Sequence, residues 1–198
     1  MSPLNLMQRA RLWAGLATLA LLTACAHPIG IGPLDTPVRA EASLSPKKAA
    51  YVMTDADRAR EVTTPGGGGD KVSYFPYRDL EKSIRDALRA VYSDVFVVPN
   101  ADPAALRALG ATVVFTPVIT TQSASPSLFT WPPTEFTIDL TCDVTDASAQ
   151  PLTQLKVQAR GTAEFAEFKS DFGLAGRRAA TRLSEDLKQA ILAQPALR

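Results

Sequence analysis

One histidine and two cysteines are all that the 198 residues offer as soft metal ligands or readily activated nucleophiles. The histidine, His27, stands in a Pro/Gly-rich run away from the periodic segments. A histidine-dependent triad and a multi-histidine zinc site are therefore excluded, and too few Cys/His ligands remain for a structural zinc. A surplus of charge of one sign is missing too. The 21 Lys and Arg face 20 Asp and Glu, a balance that leaves no electrostatic footprint for nucleic acid. The glycines at 66–69 lack the Gly-Lys-Ser/Thr ending of a phosphate loop and read as a linker. The apolar run over residues 12–22 is well short of the roughly 20 residues that cross a bilayer, so an uncleaved anchor is the weaker reading of it.

That short run is nevertheless the most informative stretch of the chain. Arg9 and Arg11 precede it, and Leu22-Thr23-Ala24-Cys25 ends it. A basic n-region, an apolar core and small residues before a cysteine make a secretory leader. The order Leu-Thr-Ala-Cys resembles the bacterial lipobox. The resemblance implies that residues 1–24 are a lipoprotein signal peptide, that the Cys25 thiol receives diacylglycerol, and that the freed amino group of Cys25 receives a further acyl chain. The alternative is an ordinary leader with an incidental cysteine. About 170 residues follow, enough for one domain with a real core and too few for two ordinary ones. If Cys25 carries lipid, Cys142 has no partner and no disulfide forms within the chain.

Residues 25–37, with Pro28, Gly30, Gly32 and Pro33, have no period and read as a flexible tether leading into a domain over 38–198. Residues 38–44 and 49–53 suit strands, with a turn at Ser45-Pro46-Lys47 between them, and 54–70 reads as a mobile polar loop. A helix opens at Pro76, with Asp79 and Glu81 in its first turn and Leu80, Ile84, Leu88 and Val91 on one stripe. The apolar run 95–98 reads as an interior strand. Asp102, Pro103 and Gly110 mark the cap, first residue and stop of a brief helix. A strand over 111–121 must lie at an edge or bulge at Pro117, which has no ladder donor.

Phe136, Ile138, Leu140, Cys142 and Val144 then alternate with polar residues, and Leu155, Val157, Ala159, Ala163 and Phe165 do so after a turn at 147–151. Pairing charges across this hairpin places Asp143 opposite Lys156, Asp139 opposite Arg160, and Cys142 opposite Val157. Phe168 breaks that alternation, so the strand ends or bulges near Ala166, and the mixed charges of Glu164, Glu167, Lys169 and Asp171 read as an exposed strand end. Asp171 caps a last helix that runs to Leu192 with Leu183, Leu187 and Ile191 on its apolar stripe; its small residues Ala175, Gly176, Ala179 and Ala180 would let it lie close on a sheet. The order is β-β-α-β-α-β-β-β-α. It predicts an α+β fold with a mixed, mainly antiparallel sheet, helices packed on one face, and a C-terminal β-meander followed by a long helix.

Cys142 falls on the apolar side of its strand, where a thiol is inert. Asp139 and Asp143 share a wet face, and the basic residues expected opposite account for them. The loop over 123–133 carries Leu128, Phe129 and Trp131 among prolines. It either presents an apolar surface to a membrane or a partner protein, or folds back as a lid on the core. With the lipobox, the strand 136–144, the run Gly161-Thr162-Ala163-Glu164-Phe165 and the Ala/Gly-rich last helix, the chain resembles small envelope lipoproteins of proteobacteria and is similar in layout to YajG-like lipoproteins. Ala26 stands where the sorting pattern of such lipoproteins places aspartate for inner-membrane retention, so the resemblance implies the periplasmic face of the outer membrane. The expectation is a non-enzymatic binding or accessory module for envelope assembly or transport, with no cofactor or metal beyond its acyl groups. Its partners are the membrane, through the anchor, and an envelope protein. The alternatives are an auxiliary lipoprotein of an ABC-type lipid transport system, or a ligand-binding or enzymatic domain with a cleft between helix and sheet.

Overall fold

The computed structural model describes residues 26–39, 44–65, 71–125 and 134–198. Its strands are β1 (His27–Pro28), β2 (Ser45–Val52), β3 (Val62–Pro65), β4 (Lys71–Tyr74), β5 (Tyr92–Val98), β6 (Val113–Ala124), β7 (Glu135–Thr145) and β8 (Pro151–Thr162). Its α-helices are α1 (Asp55–Arg58), α2 (Pro76–Arg89), α3 (Pro103–Leu109), α4 (Phe165–Ser170) and α5 (Leu174–Leu192), with a 3-10 turn at Pro195–Leu197. A five-stranded mixed sheet runs β5-β2-β6-β7-β8, and a three-stranded one runs β1-β4-β3. The fold is α+β, with the β6-β7-β8 meander followed by the long helix α5, as the hydrophobic patterning predicts.

The main core lies between the larger sheet and the helices α2 and α5. Leu80, Ile84 and Leu88 of α2 and Leu183, Leu187 and Ile191 of α5 are all buried there, because apolar residues every three or four positions share one helix face. A smaller cluster of Ala50, Val52, Val98, Leu106, Ala111 and Val114 seats the seven-residue α3 apart from that core. Asp102 caps α3 by accepting from the Ala105 N–H, and Gly110 stops it in the left-handed region at φ 69°.

The first strand begins later than its sequence suggests. Val38 and Arg39 belong to no strand, residues 40–43 lie outside the described residues, and β2 begins at Ser45 within the segment expected to turn. Pro46 is tolerated because the β2–β5 register shifts between Ser45 and Lys48, so no ladder donor is needed from it. The run 95–98 belongs to β5, an edge strand and not an interior one. Its apolar look comes from α3 and the main core packing against its two sides.

Pro117 sits in the middle strand without harm. The pairing of β6 with β2 stops at Phe115, while its pairing with β7 continues to Ala124. Two residues beyond the proline, on the vacated side, the Ile119 N–H donates to Tyr77 Oη at 3.1 Å. By the two-residue period of a strand, the donor that Pro117 lacks would have pointed to the same unpaired side.

The β7–β8 register differs by two residues from the charge-paired one. Asp143 faces Gln154, Asp139 faces Gln158, Thr141 faces Lys156 and Cys142 faces Leu155. Gln154 and Gln158 donate to those aspartates at 2.8 and 2.7 Å, and Arg160 pairs with Glu135. The turn decides this. Asp146 Oδ1 accepts from the Ser148 and Gln150 N–H groups, Ala149 takes φ 64°, and the ladder skips a residue between Thr153 and Pro151. Surface charge pairs are worth too little to oppose that geometry.

Three of the four tyrosine hydroxyls are paired: Tyr74 with Thr121, Tyr77 with Ile119 N–H, and Tyr92 with the Leu197 carbonyl. The Tyr51 hydroxyl, on a fully buried side chain, has no partner among the described residues, and burial pushes its pKa far above the ordinary 10. An unpaired buried hydroxyl opposes folding. Tyr51→Phe is therefore expected to stabilise the protein by about 1 kcal/mol, read as a higher denaturation midpoint in urea with an unchanged slope; a lower midpoint would mean that the hydroxyl is bonded.

Candidate functional site

Cys25, Leu128, Phe129 and Trp131 lie outside the described residues. The nearest described residues are Ala26 on one side, and Ser125 and Thr134 at the two ends of the loop. Ala124 pairs with Glu135, and Glu135 pairs with Thr162, so the stem of the loop that holds Leu128, Phe129 and Trp131 stands beside the end of β8. Ala163 N–H donates to the Thr134 carbonyl at 2.8 Å and ties that stem to the start of α4. At the other end of α4, the Phe172 ring lies 5.8 Å from the ring of His27, the second residue after Cys25.

The segment expected to be a loose tether is laid into the fold from His27 onward. His27 and Pro28 pair in parallel with Val72 and Ser73, and the Ile29 N–H donates to the Ser73 carbonyl at 2.9 Å. Ile31 is fully buried, and its methyl occupies the space that a Cβ on Gly176 would need, at 2.3 Å. The strap then runs between α2 and α5. Gly32 lies beside the Asp79 carbonyl, Leu34 N–H donates to Thr181 Oγ1 at 2.9 Å, Thr36 bonds Asp86, and Lys188 reaches the Val38 carbonyl at 3.2 Å. From Gly176 to Lys188 the helix rises about 18 Å, a span that the eight residues from Ile31 to Val38 cover when extended. The alternation Ile29-Gly30-Ile31-Gly32 explains the docking, since it presents apolar side chains on one side and bare backbone on the other. Composition alone reads that run as a linker.

Residues 164–171 form a helix and not the frayed strand end that their mixed charges suggest. Glu164 and Glu167 make a reciprocal capping box at the start of α4. Phe168, which interrupts the strand alternation, is thereby turned into the core at 1% exposure. Asp171 does not cap α5: its carboxylate accepts from the Gly173 N–H and pairs with Arg177, while Gly173 takes the cap position without a side-chain bond.

Glu167 also accepts from both Arg178 terminal nitrogens, at 2.8 and 2.7 Å, and from the Glu164 N–H at 2.9 Å. The Arg178 hydrogen bond, then the backbone one, hold its carboxyl at about 2, below the usual 4.5. A depressed folded-state pKa contributes stability that is complete above about pH 4.5 and fades as the pH falls through about 2. Glutamine keeps the capping bond and removes the charge. The gap in melting temperature between wild type and Glu167→Gln should therefore narrow as the pH falls from above 4.5 to 2, and a gap independent of pH would contradict the pairing.

The remaining candidates for chemistry are occupied with one another. The Cys142 thiol is buried and pushed up to about 12 by desolvation and then by neighbouring Asp143, so little of it is thiolate at neutral pH. Asp139 and Asp143 are held by glutamines. An open groove of polar side chains runs between β8 and α5, but its arginines are paired, Arg160 with Glu135, Arg178 with Glu167 and Arg182 with Asp186. Among the described residues no group of three or more His, Cys, Asp or Glu is placed to hold a metal ion.

No protein-family model matches the chain, and no curated protein does. Similar solved structures include the PelC dodecamer from Paraburkholderia phytofirmans, at 14% identity and a TM-score of 0.41 over 78% of this chain and 95% of that one. A DUF330 protein from Xanthomonas campestris aligns at 11% identity and a TM-score of 0.43 over 86% and 98%, respectively. A minor lipoprotein from Acinetobacter baumannii aligns at 14% identity and 0.42 over 74% and 93%. At these values the likenesses are loose, and nothing about activity or partners passes from those proteins to this one.

Proposed function

We propose that the chain is a lipid-anchored envelope lipoprotein whose folded part acts as a non-enzymatic binding or accessory module in envelope assembly or transport. The observation that carries this reading is the sequence Leu22-Thr23-Ala24-Cys25 behind a basic, apolar leader, followed two residues later by a strand that is part of the fold. The leader would bring the chain through the membrane, Cys25 would carry the acyl chains, and the docked strap would leave only Ala26 as slack between lipid and domain. Fixing a domain at one surface raises its effective concentration there, so a weak contact with a second envelope protein suffices. The capped, paired or buried state of the polar side chains described above suits a module that binds. By its resemblance to YajG-like lipoproteins, and with Ala26 at the sorting position, the protein belongs on the periplasmic face of the outer membrane.

Separation of inner and outer membranes tests the address. Wild type is expected in the outer-membrane fraction, and Ala26→Asp is expected to shift most of the protein to the inner-membrane fraction. An identical distribution of the two would refute the sorting reading.

A further inference from the structure

Two phenylalanines, at the two ends of the α4 segment, are left facing solvent. Phe165, at the beginning of α4, is 56% exposed, and Phe172, just beyond its end, is 42% exposed. Phe165 opens a helix of six residues, about 9 Å long, and Phe172 follows two residues after its last turn. Phe168 between them is buried and packs on Phe172 at 4.9 Å, which fixes Phe172 from behind. Lys169 lies over the Phe165 ring at 5.5 Å and carries a cation to the rim of the same surface.

We infer that Phe165, Phe172 and Lys169 form a surface that lies in the lipid headgroup layer of the membrane holding the acylated chain. This inference rests on the reading of Cys25 as the acylated residue. Its occupant follows from the position of Cys25 in the sequence, two residues before His27. The Phe172 ring packs 5.8 Å from that of His27. Two peptide units separate His27 from Cys25, so the Cys25 α-carbon lies within about 8 Å of that of His27. A glyceride on the Cys25 sulfur would therefore enter the bilayer near Phe172, with Ala26 alone as slack between anchor and surface. β1 holds His27 in the small sheet, and Gly173 is pressed on the Gly30 carbonyl so closely that a Cβ there would stand at 2.3 Å. Strap and α4 thus present one rigid edge. Phenylalanine at the boundary between headgroups and acyl chains, with a lysine reaching outward from it, is the composition of an interfacial contact. Glu164, Glu167 and Asp171 balance Lys169, Arg177 and Arg178 in formal charge around it, so the contact does not need anionic lipid.

The test places the photoreactive residue p-benzoylphenylalanine at Phe165, at Phe172 and, as a control, at Val118, which is 54% exposed on β6. The full chain is processed in cells, its membranes are irradiated, and adducts are identified by mass. Phospholipid adducts at 165 and 172, with at least a fivefold lower yield at 118, support the inference. Protein adducts alone, no adducts at 165 and 172, or equal lipid yields at all three overturn it. The N-terminal peptide of the same samples separates the two ideas. Acylated Cys25 without lipid adducts at 165 and 172 overturns this contact and leaves the anchor standing, whereas an unmodified Cys25 overturns both. Should either substitution impair folding, amide exchange of wild type in phosphatidylcholine vesicles decides: residues 165–172 should exchange at least tenfold more slowly than in detergent, and equal rates overturn the contact.

Discussion

Alanine at Gly161 is expected to lower the melting temperature by roughly 6–12 °C, the equivalent of about 3 kcal/mol for a chain of this length. A Cβ at that position would stand 2.1 Å from the Ala175 carbonyl oxygen and 2.4 Å from the Ala179 nitrogen. Both atoms are backbone of α5, so no side-chain rotation relieves the clash. The helix must move off β8, and Ala175, Ala179 and Leu183 lose the sheet surface that buries them. Gly30→Ala serves as the control, because nothing lies within 4 Å of the added methyl. Equal melting temperatures for the Gly161 variant and wild type would mean that α5 does not lie where the structure puts it.

Serine at Cys25 is expected to abolish acylation altogether. The glyceride is attached through sulfur, and in a lipoprotein leader the cut depends on that attachment. Palmitate incorporation should fall to background, and the chain should accumulate with residues 1–24 still in place. Each buried methylene of an acyl chain contributes about 0.8 kcal/mol to membrane binding, so losing every chain removes the dominant attachment. The folded part should be unaffected, since the first strand begins at His27. Unchanged labelling of Cys25→Ser would show that the lipobox resemblance misleads.

The elements that could be read from the sequence are those whose burial pattern repeats. The stripes of α2 and α5 and the alternation in β7 and β8 each place several side chains on one face, and all those faces are buried as expected. What escaped depends on one or two residues. Two isoleucines among glycines dock the strap, and without a period they look like linker. The strands β3 and β4, four residues each, fall in or beside a stretch read as a polar loop, because a strand of that length has too few residues to show an alternation. The β7–β8 register was assigned from charge, whereas Asp146 and the turn behind it decide it. For the candidate site, the small residues of α5 were visible, but their counterpart Gly161 on β8 was not, since a glycine in a strand announces a close approach without saying to what. Phe165 was expected to continue the buried alternation of its strand. It is instead exposed at the head of α4, because the Glu164–Glu167 capping box starts a helix there.

Anchoring of the domain depends on the chemical state of Cys25. Mass measurement of the N-terminal peptide from membrane-extracted protein tests it most directly. The predicted result is a peptide that begins at Cys25 and carries a diacylglycerol and one further acyl chain. A peptide that still contains residues 1–24, or one that begins at Cys25 with a free thiol, would contradict it.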